Sequence, residues 1–135
     1  MHANDLTAKP LYLEKAMSIA VFLGGPLPVA YIMASNFSAL GETEKVLPTW
    51  GITLAFTVVY VSLLLSVPAL QEVPQVLFPL TIMILAGFAY RKWQLPQINR
   101  SIDRGAKVFS NWRGAGVGLG FLLLNLVIYL AFVGL

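Results

Sequence analysis

Few residues of this chain have the side chains that catalysis or metal binding requires. His2 provides the only imidazole, and there is no cysteine. Catalytic triads, thiolate nucleophiles and the usual zinc sites therefore lack their parts. The serines have no evident base, and no pair of carboxylates lies inside an apolar stretch. The sequence predicts a protein that is not an enzyme and that has no catalytic residue, no metal site and no cofactor.

The glycine-rich run at residues 114–120 superficially resembles a phosphate-binding loop. It fits neither G-x-G-x-x-G nor the P-loop pattern, and no Lys-Ser or Lys-Thr pair follows it. Its spacing gives two small-xxx-small pairs, which let helix backbones approach closely in lipid. We therefore expect helix packing, within one chain or between copies, at Gly114, Gly116, Gly118 and Gly120.

A helix break is predicted in the middle of the first long apolar stretch, residues 16–41. Two prolines follow two glycines there: Gly24, Gly25, Pro26 and Pro28. Proline has no N–H to donate to the preceding turn, so this helix should kink or unwind. Transporters often build substrate sites from helices broken at this depth. A structural kink and a permeation pathway are both open, and Asn125, deep in the last apolar stretch, either bonds across helices or lines that pathway.

The basic residues are concentrated in one segment of the chain. The net charge is +3, and six of the nine lysines and arginines lie in residues 91–113. Basic loops beside membrane spans are the ordinary orientation signal, so no nucleic-acid partner is expected. Within this loop we expect contact with anionic lipid headgroups at Arg100, Arg104 and Lys107.

Four stretches without any charge dictate the fold class. They cover residues 16–41, 46–71, 73–90 and 114–135, with lengths of 26, 26, 18 and 22 residues. A helix needs about 20 apolar residues to cross a hydrocarbon core. The chain is 58% hydrophobic and 11% charged, against about 25% charged in soluble domains.

The predicted fold is an all-α membrane protein of one domain, residues 1–135, with a bundle of four transmembrane helices. The expected spans are about 14–36, 47–67, 73–93 and 114–134. Between the third and fourth spans, residues 94–113 should form a short amphipathic interfacial helix, since their apolar residues recur at helical spacing.

Orientation follows from the basic loops. With four crossings, the loops between spans 1 and 2 and between spans 3 and 4 share one side and hold seven basic residues, against Lys9 and Lys15 on the other. The positive-inside rule then predicts cytoplasmic loops, with both termini outside the cytoplasm.

Several short motifs resemble those of a group of small uncharacterised bacterial multi-pass inner-membrane proteins. They are F-x-G-G-P-L at residues 22–27, N-F-x-x-L-G-E at residues 36–42 and S-N-W-R at residues 110–113. The resemblance implies a location in the bacterial inner membrane and brings no known activity.

The function expected from these features is a non-enzymatic membrane interaction module: a small subunit, regulator or scaffold that packs through a glycine-rich helix face. Its partners would be membrane lipids and either further copies of the chain or a larger membrane protein. The alternative is a minimal channel or transporter that uses the broken first helix.

Overall fold

The computed structural model describes residues 10–134. Within this range the chain is helical, as predicted, apart from loops and one isolated bridge between Leu11 and Val108. Two short 3-10 turns lie at Thr43–Lys45 and Pro68–Glu72. The six α-helices are α1 (Glu14–Gly24), α2 (Leu27–Ala39), α3 (Val46–Ser66), α4 (Leu77–Trp93), α5 (Leu95–Asp103) and α6 (Asn111–Gly134).

The first apolar stretch is not one span over residues 14–36 but a helical hairpin. Gly25, between α1 and α2, has φ 81° and ψ −155°, a region open essentially to glycine alone. The amide nitrogen of Tyr12 lies 2.8 Å from Oδ1 of Asn36. A continuous helix would hold these two residues about 36 Å apart. The chain therefore reverses at the predicted break, and both ends of the hairpin lie at the same end of the molecule.

The α1–α2 hairpin is the centre of the fold. α6 packs along α1, α4 packs against the same helix, and α3 packs along α2. Among the described residues, close backbone approaches between α3, α4 and α6 themselves are rare. The three longer helices are therefore held together mainly by the hairpin between them.

Small residues bring α1 and α6 together in parallel. A Cβ atom added to Gly114 would overlap the backbone of Ala16, and one added to Gly118 would lie 2.8 Å from the carbonyl oxygen of Ala20. Ala16 and Ala20 are fully buried. The close approach requires glycine on α6, because any side chain there would push the two backbones apart.

Two helical segments are long and apolar enough to cross a membrane. They are Thr43–Ser66, with a mean hydropathy of 1.7, and Asn111–Gly134, with a mean hydropathy of 2.3. Only 6% of the most apolar window is buried in each, whereas the core helix of a soluble protein is mostly buried. Four transmembrane helices are not confirmed, because α1, α2 and α4 have 11, 13 and 17 residues, fewer than the roughly 20 needed to span.

The predicted interfacial helix is shorter than the loop that contains it. α5 ends near Gly105, which has φ 90°, and its Ile98 is fully buried in the core. The rest of the loop is extended and pairs with the chain before α1. There the amide of Leu11 donates to the carbonyl of Lys107, and the amide of Phe109 donates to the carbonyl of Leu11.

Charge divides the molecule into two ends. We call one end of the molecule the basal end. It contains α5, the starts of α1, α3 and α6, and the ends of α2 and α4. The opposite end, with the Pro68–Glu72 turn, is the distal end. The distal end carries Glu72 and no described basic residue. Every described lysine and arginine lies at the basal end: Lys15, Lys45, Arg91, Lys92, Arg100, Arg104, Lys107 and Arg113.

Candidate functional site

A buried polar cluster, which we call the hairpin clamp, closes the base of the α1–α2 hairpin. It consists of Tyr12, Asn36, Tyr90 and Gln94, all at most 1% exposed. The Asn36 side chain accepts a hydrogen bond from the backbone N–H of Tyr12 at 2.8 Å and donates one to its carbonyl at 2.9 Å. One amide thereby satisfies both backbone groups of a residue that lies outside any helix.

α4 supplies the other half of the hairpin clamp. The Asn36 amide also donates to Oε1 of Gln94 at 3.1 Å, and Gln94 Nε2 donates to the carbonyl of Met33 at 2.8 Å. The hydroxyl of Tyr90 donates to the Tyr12 carbonyl at 2.9 Å. These bonds link the start of α1, the end of α2 and the end of α4. Because the donors and acceptors pair with one another, the cluster helps to hold these three elements of the fold together.

Sequence reasoning did not single out Tyr90, Gln94 or the bonding role of Asn36. The available signal was weak: Asn36 lies in an apolar stretch, and buried polar residues need partners. Nothing in the residue order indicates that its partners are 24 and 58 positions away.

Two arginine side chains form polar contacts at or beside the hairpin clamp. Arg113 Nε donates to the Tyr12 hydroxyl at 3.2 Å, and Arg91 pairs with Glu14 at 3.1 Å. Burial raises the pKa of the Tyr12 hydroxyl, and the hydrogen bond from Arg113 offsets part of that rise. Tyr12 therefore stays neutral at pH 7 and acts as an acceptor.

The tip of the hairpin meets Asn125, so the structure brings the predicted break and this polar residue together. Asn125 Nδ2 donates to the carbonyl oxygen of Gly24 at 3.1 Å. In a regular helix that carbonyl would accept from residue 28, but Pro28 has no N–H. Asn125 thus satisfies an acceptor that the break exposes, as required in a low-dielectric environment. Asn125 thus forms a bond between helices, which is one of the two roles expected of it.

The predicted glycine set divides into two faces. Gly114 and Gly118 are buried against α1. An added Cβ atom at Gly116 or Gly120 would meet no atom within 4 Å. The first pair therefore packs within the chain, and the second pair forms an unpartnered face of α6, which we call the open glycine face.

The predicted lipid-contact residues also divide. Arg100 and Arg104 line a polar pocket at the basal end, but Lys107 does not. Lys107 lies in the extended segment whose backbone pairs with Leu11. Among residues 10–134 there is no cluster of three histidines or carboxylates that could hold a metal ion.

Comparison with known proteins finds no matching family, no matching curated protein and no matching solved structure. Function must therefore be argued from the geometry of this chain alone.

Proposed function

We propose that this chain is a non-enzymatic integral membrane interaction module, a small subunit, regulator or scaffold, that assembles through the open glycine face of α6. The observation that supports this proposal is the division of the glycine set. Gly114 and Gly118 pack against α1 within the chain. That packing does not account for Gly116 and Gly120. In lipid, a glycine pair four residues apart favours close contact with another helix.

The distal half of α6 supports the same proposal. Leu123 and Val127 are 61% and 62% exposed, and their spacing places them on the same side of α6 as Gly116 and Gly120. In a membrane this surface is covered by lipid or by another helix. Continuity with Gly116 and Gly120 makes it part of the same contact surface.

The membrane topology that fits this fold has three crossings, by α3, α4 and α6, and one re-entrant hairpin that enters from the basal end. Hairpin helices of 11 and 13 residues reach only about 16–20 Å at 1.5 Å per residue, so the tip stops inside the hydrocarbon core. α4 is shorter than a full span and would rely on the residues before Leu77 to reach the distal interface. This topology replaces the four crossings expected from the sequence.

The charge distribution then orients the chain. The positive-inside rule places the basal end, with every described basic residue, in the cytoplasm. Residues 10–13 would be cytoplasmic with it, and the end of α6 would lie on the opposite side. We retain the bacterial inner membrane, on the resemblance noted above, as part of the proposal.

Replacement of both Gly116 and Gly120 by leucine should dissociate the assembly while the monomer stays folded. A Cβ atom added at these positions meets no atom of its own chain within 4 Å, whereas a leucine side chain would separate two helices that pack closely there. The measurement is complex size in mild detergent, by native mass spectrometry or light scattering, together with helical content by circular dichroism.

Two matched variants make this test specific. Gly51→Leu places the same side chain on an equally open position of α3 and should leave complex size unchanged. Gly118→Leu should instead destabilise the monomer, because it drives α6 away from Ala20. An unaltered complex in the Gly116/Gly120 double variant would refute the proposal.

A further inference from the structure

A polar pocket opens at the basal end between α5 and the turn that joins α2 to α3. Its volume is about 200 Å³, and it is lined by Leu40, Glu42, Gln97, Arg100, Ser101 and Arg104. The two arginines are exposed, and Glu42 is engaged by Lys45. The pocket therefore combines a net positive charge with a hydroxyl, an amide and a carboxylate.

Gln97 distinguishes this pocket from an ordinary solvated cationic surface. Its Oε1 atom is buried and has no hydrogen-bond partner in the chain, the only buried side-chain polar atom among the described residues in that condition. Buried polar atoms are nearly always paired in folded proteins. Because an amide offers both an acceptor and donors, the Gln97 side chain is suited to complete a bound polar group.

The pocket lies at the level where lipid headgroups would be found. Trp93 and Trp112, at the basal ends of α4 and α6, are 55% and 84% exposed, as is usual for tryptophans at a membrane interface. Leu40 contributes an apolar wall on the side of the hairpin. This position follows from the membrane location proposed above and does not depend on assembly through the open glycine face.

We propose that this pocket binds the headgroup of a phospholipid that carries hydrogen-bond donors beside its phosphate, as phosphatidylglycerol and phosphatidylethanolamine do. Arg100 and Arg104 supply the guanidinium groups that recognise a phosphate. Ser101 supplies a further donor. The carboxylate of Glu42 then selects headgroups that have hydroxyl or ammonium donors over phosphatidylcholine, whose headgroup has none.

The test is native mass spectrometry of the detergent-solubilised full chain titrated with each of the three lipids. Phosphatidylglycerol and phosphatidylethanolamine should bind more tightly than phosphatidylcholine. Arg100→Gln and Arg104→Gln should each weaken the binding of phosphatidylglycerol about fivefold, since each basic residue near an anionic surface contributes that much. Equal binding of all three lipids would overturn the proposed selectivity.

Lys15→Gln combined with Lys92→Gln is the matched control for a double arginine variant, Arg100→Gln with Arg104→Gln, because it removes the same charge from the same end outside the pocket. Little change is expected. A loss equal to that of the double arginine variant would show general charge attraction and overturn the pocket.

Gln97→Leu provides a second, charge-neutral test. It should reduce lipid binding without lowering the thermal unfolding midpoint, since it removes an unpaired buried atom. Unchanged lipid binding would overturn the role of Gln97. Millimolar inorganic phosphate should not displace the lipid; full displacement would identify a free-phosphate site instead.

Each proposal can fail without the other. Native mass spectrometry detects lipid bound to the monomer as an increase in its mass. A failure of assembly therefore leaves the lipid measurement intact. Conversely, the arginine variants should retain their complex size.

Discussion

At the scale of single residues, Asn36 and Asn125 show how polar side chains stabilise an otherwise apolar chain. Each satisfies backbone groups that a helix would ordinarily satisfy by itself: Asn36 those of Tyr12, and Asn125 the Gly24 carbonyl that Pro28 leaves free. Both residues are explained by these bonds. For Asn125 the sequence predicted either a bond across helices or a place in a pathway, and the structure contains such a bond, whereas for Asn36 the sequence predicted no bond.

Asn36→Ala should destabilise the folded chain by about 2–4 kcal/mol, because it leaves the buried N–H and C=O of Tyr12 without their side-chain partner, at roughly 1–3 kcal/mol for each unsatisfied group. The Tyr90 hydroxyl still donates to the Tyr12 carbonyl. The loss of stability is therefore smaller than the sum of the upper values for the two groups. The measurement is denaturant unfolding in detergent micelles.

Asn99→Ala, an exposed asparagine on α5, is the matched control and should change stability by less than about 0.5 kcal/mol. Equal effects of the two variants would contradict the role assigned to the hairpin clamp.

At the scale of elements, the α1–α2 hairpin organises the other helices. Its stability depends on a reversal at Gly25 and on the bonds that close its base, since neither short helix could persist alone. The α1 face of small residues admits α6, and α2 supports α3. The elements that look most like independent spans, α3 and α6, are therefore positioned by the element that looked like a broken span.

Gly25→Ala should destabilise the chain by about 1–3 kcal/mol, because φ 81° with ψ −155° lies in a region that L-residues adopt only under strain. No atom lies within 4 Å of an added Cβ at this position, so the effect isolates the backbone conformation. The measurement is again unfolding in micelles.

Gly51→Ala, at an exposed position inside α3 with equally open space, should instead be neutral or stabilise by up to about 1 kcal/mol, since alanine favours a helix more than glycine does. If both variants were stabilising, the reversal at Gly25 would not be part of the fold in solution.

At the scale of the whole molecule, charge and helix length together suggest how the chain lies in a membrane. Folding the first stretch back on itself moves Lys15 to the same end as the basic loop, so the described chain has basic residues at one end only. Counting four spans gave a weaker asymmetry of seven to two. The larger asymmetry favours the three-crossing topology, because short basic loops are retained in the cytoplasm.

Single cysteines can test this topology cleanly, because the chain has none of its own. With three crossings and a re-entrant hairpin, an impermeant maleimide should label Lys15→Cys and Glu44→Cys from the same side of the membrane, and Gln71→Cys from the other. Lys15, Glu44 and Gln71 are all exposed. With four crossings, Lys15→Cys would share its side with Gln71→Cys instead, so labelling of inside-out and right-side-out vesicles decides between them.

The sequence by itself determined the all-helical class, the basic loop and the position of the break at Gly24–Pro28. It predicted four membrane spans, of which two have helices long and apolar enough to cross a membrane. These are local properties, since apolar run length, charge and missing N–H groups are read from neighbouring residues. The tertiary structure decided that the break is a reversal, that Asn125 satisfies the exposed carbonyl, and that Gly114 and Gly118 face inward while Gly116 and Gly120 do not. Proline and glycine signal that a helix stops, but the direction in which the chain continues depends on contacts such as those of Asn36 with Tyr12 and Gln94, between residues far apart in the sequence.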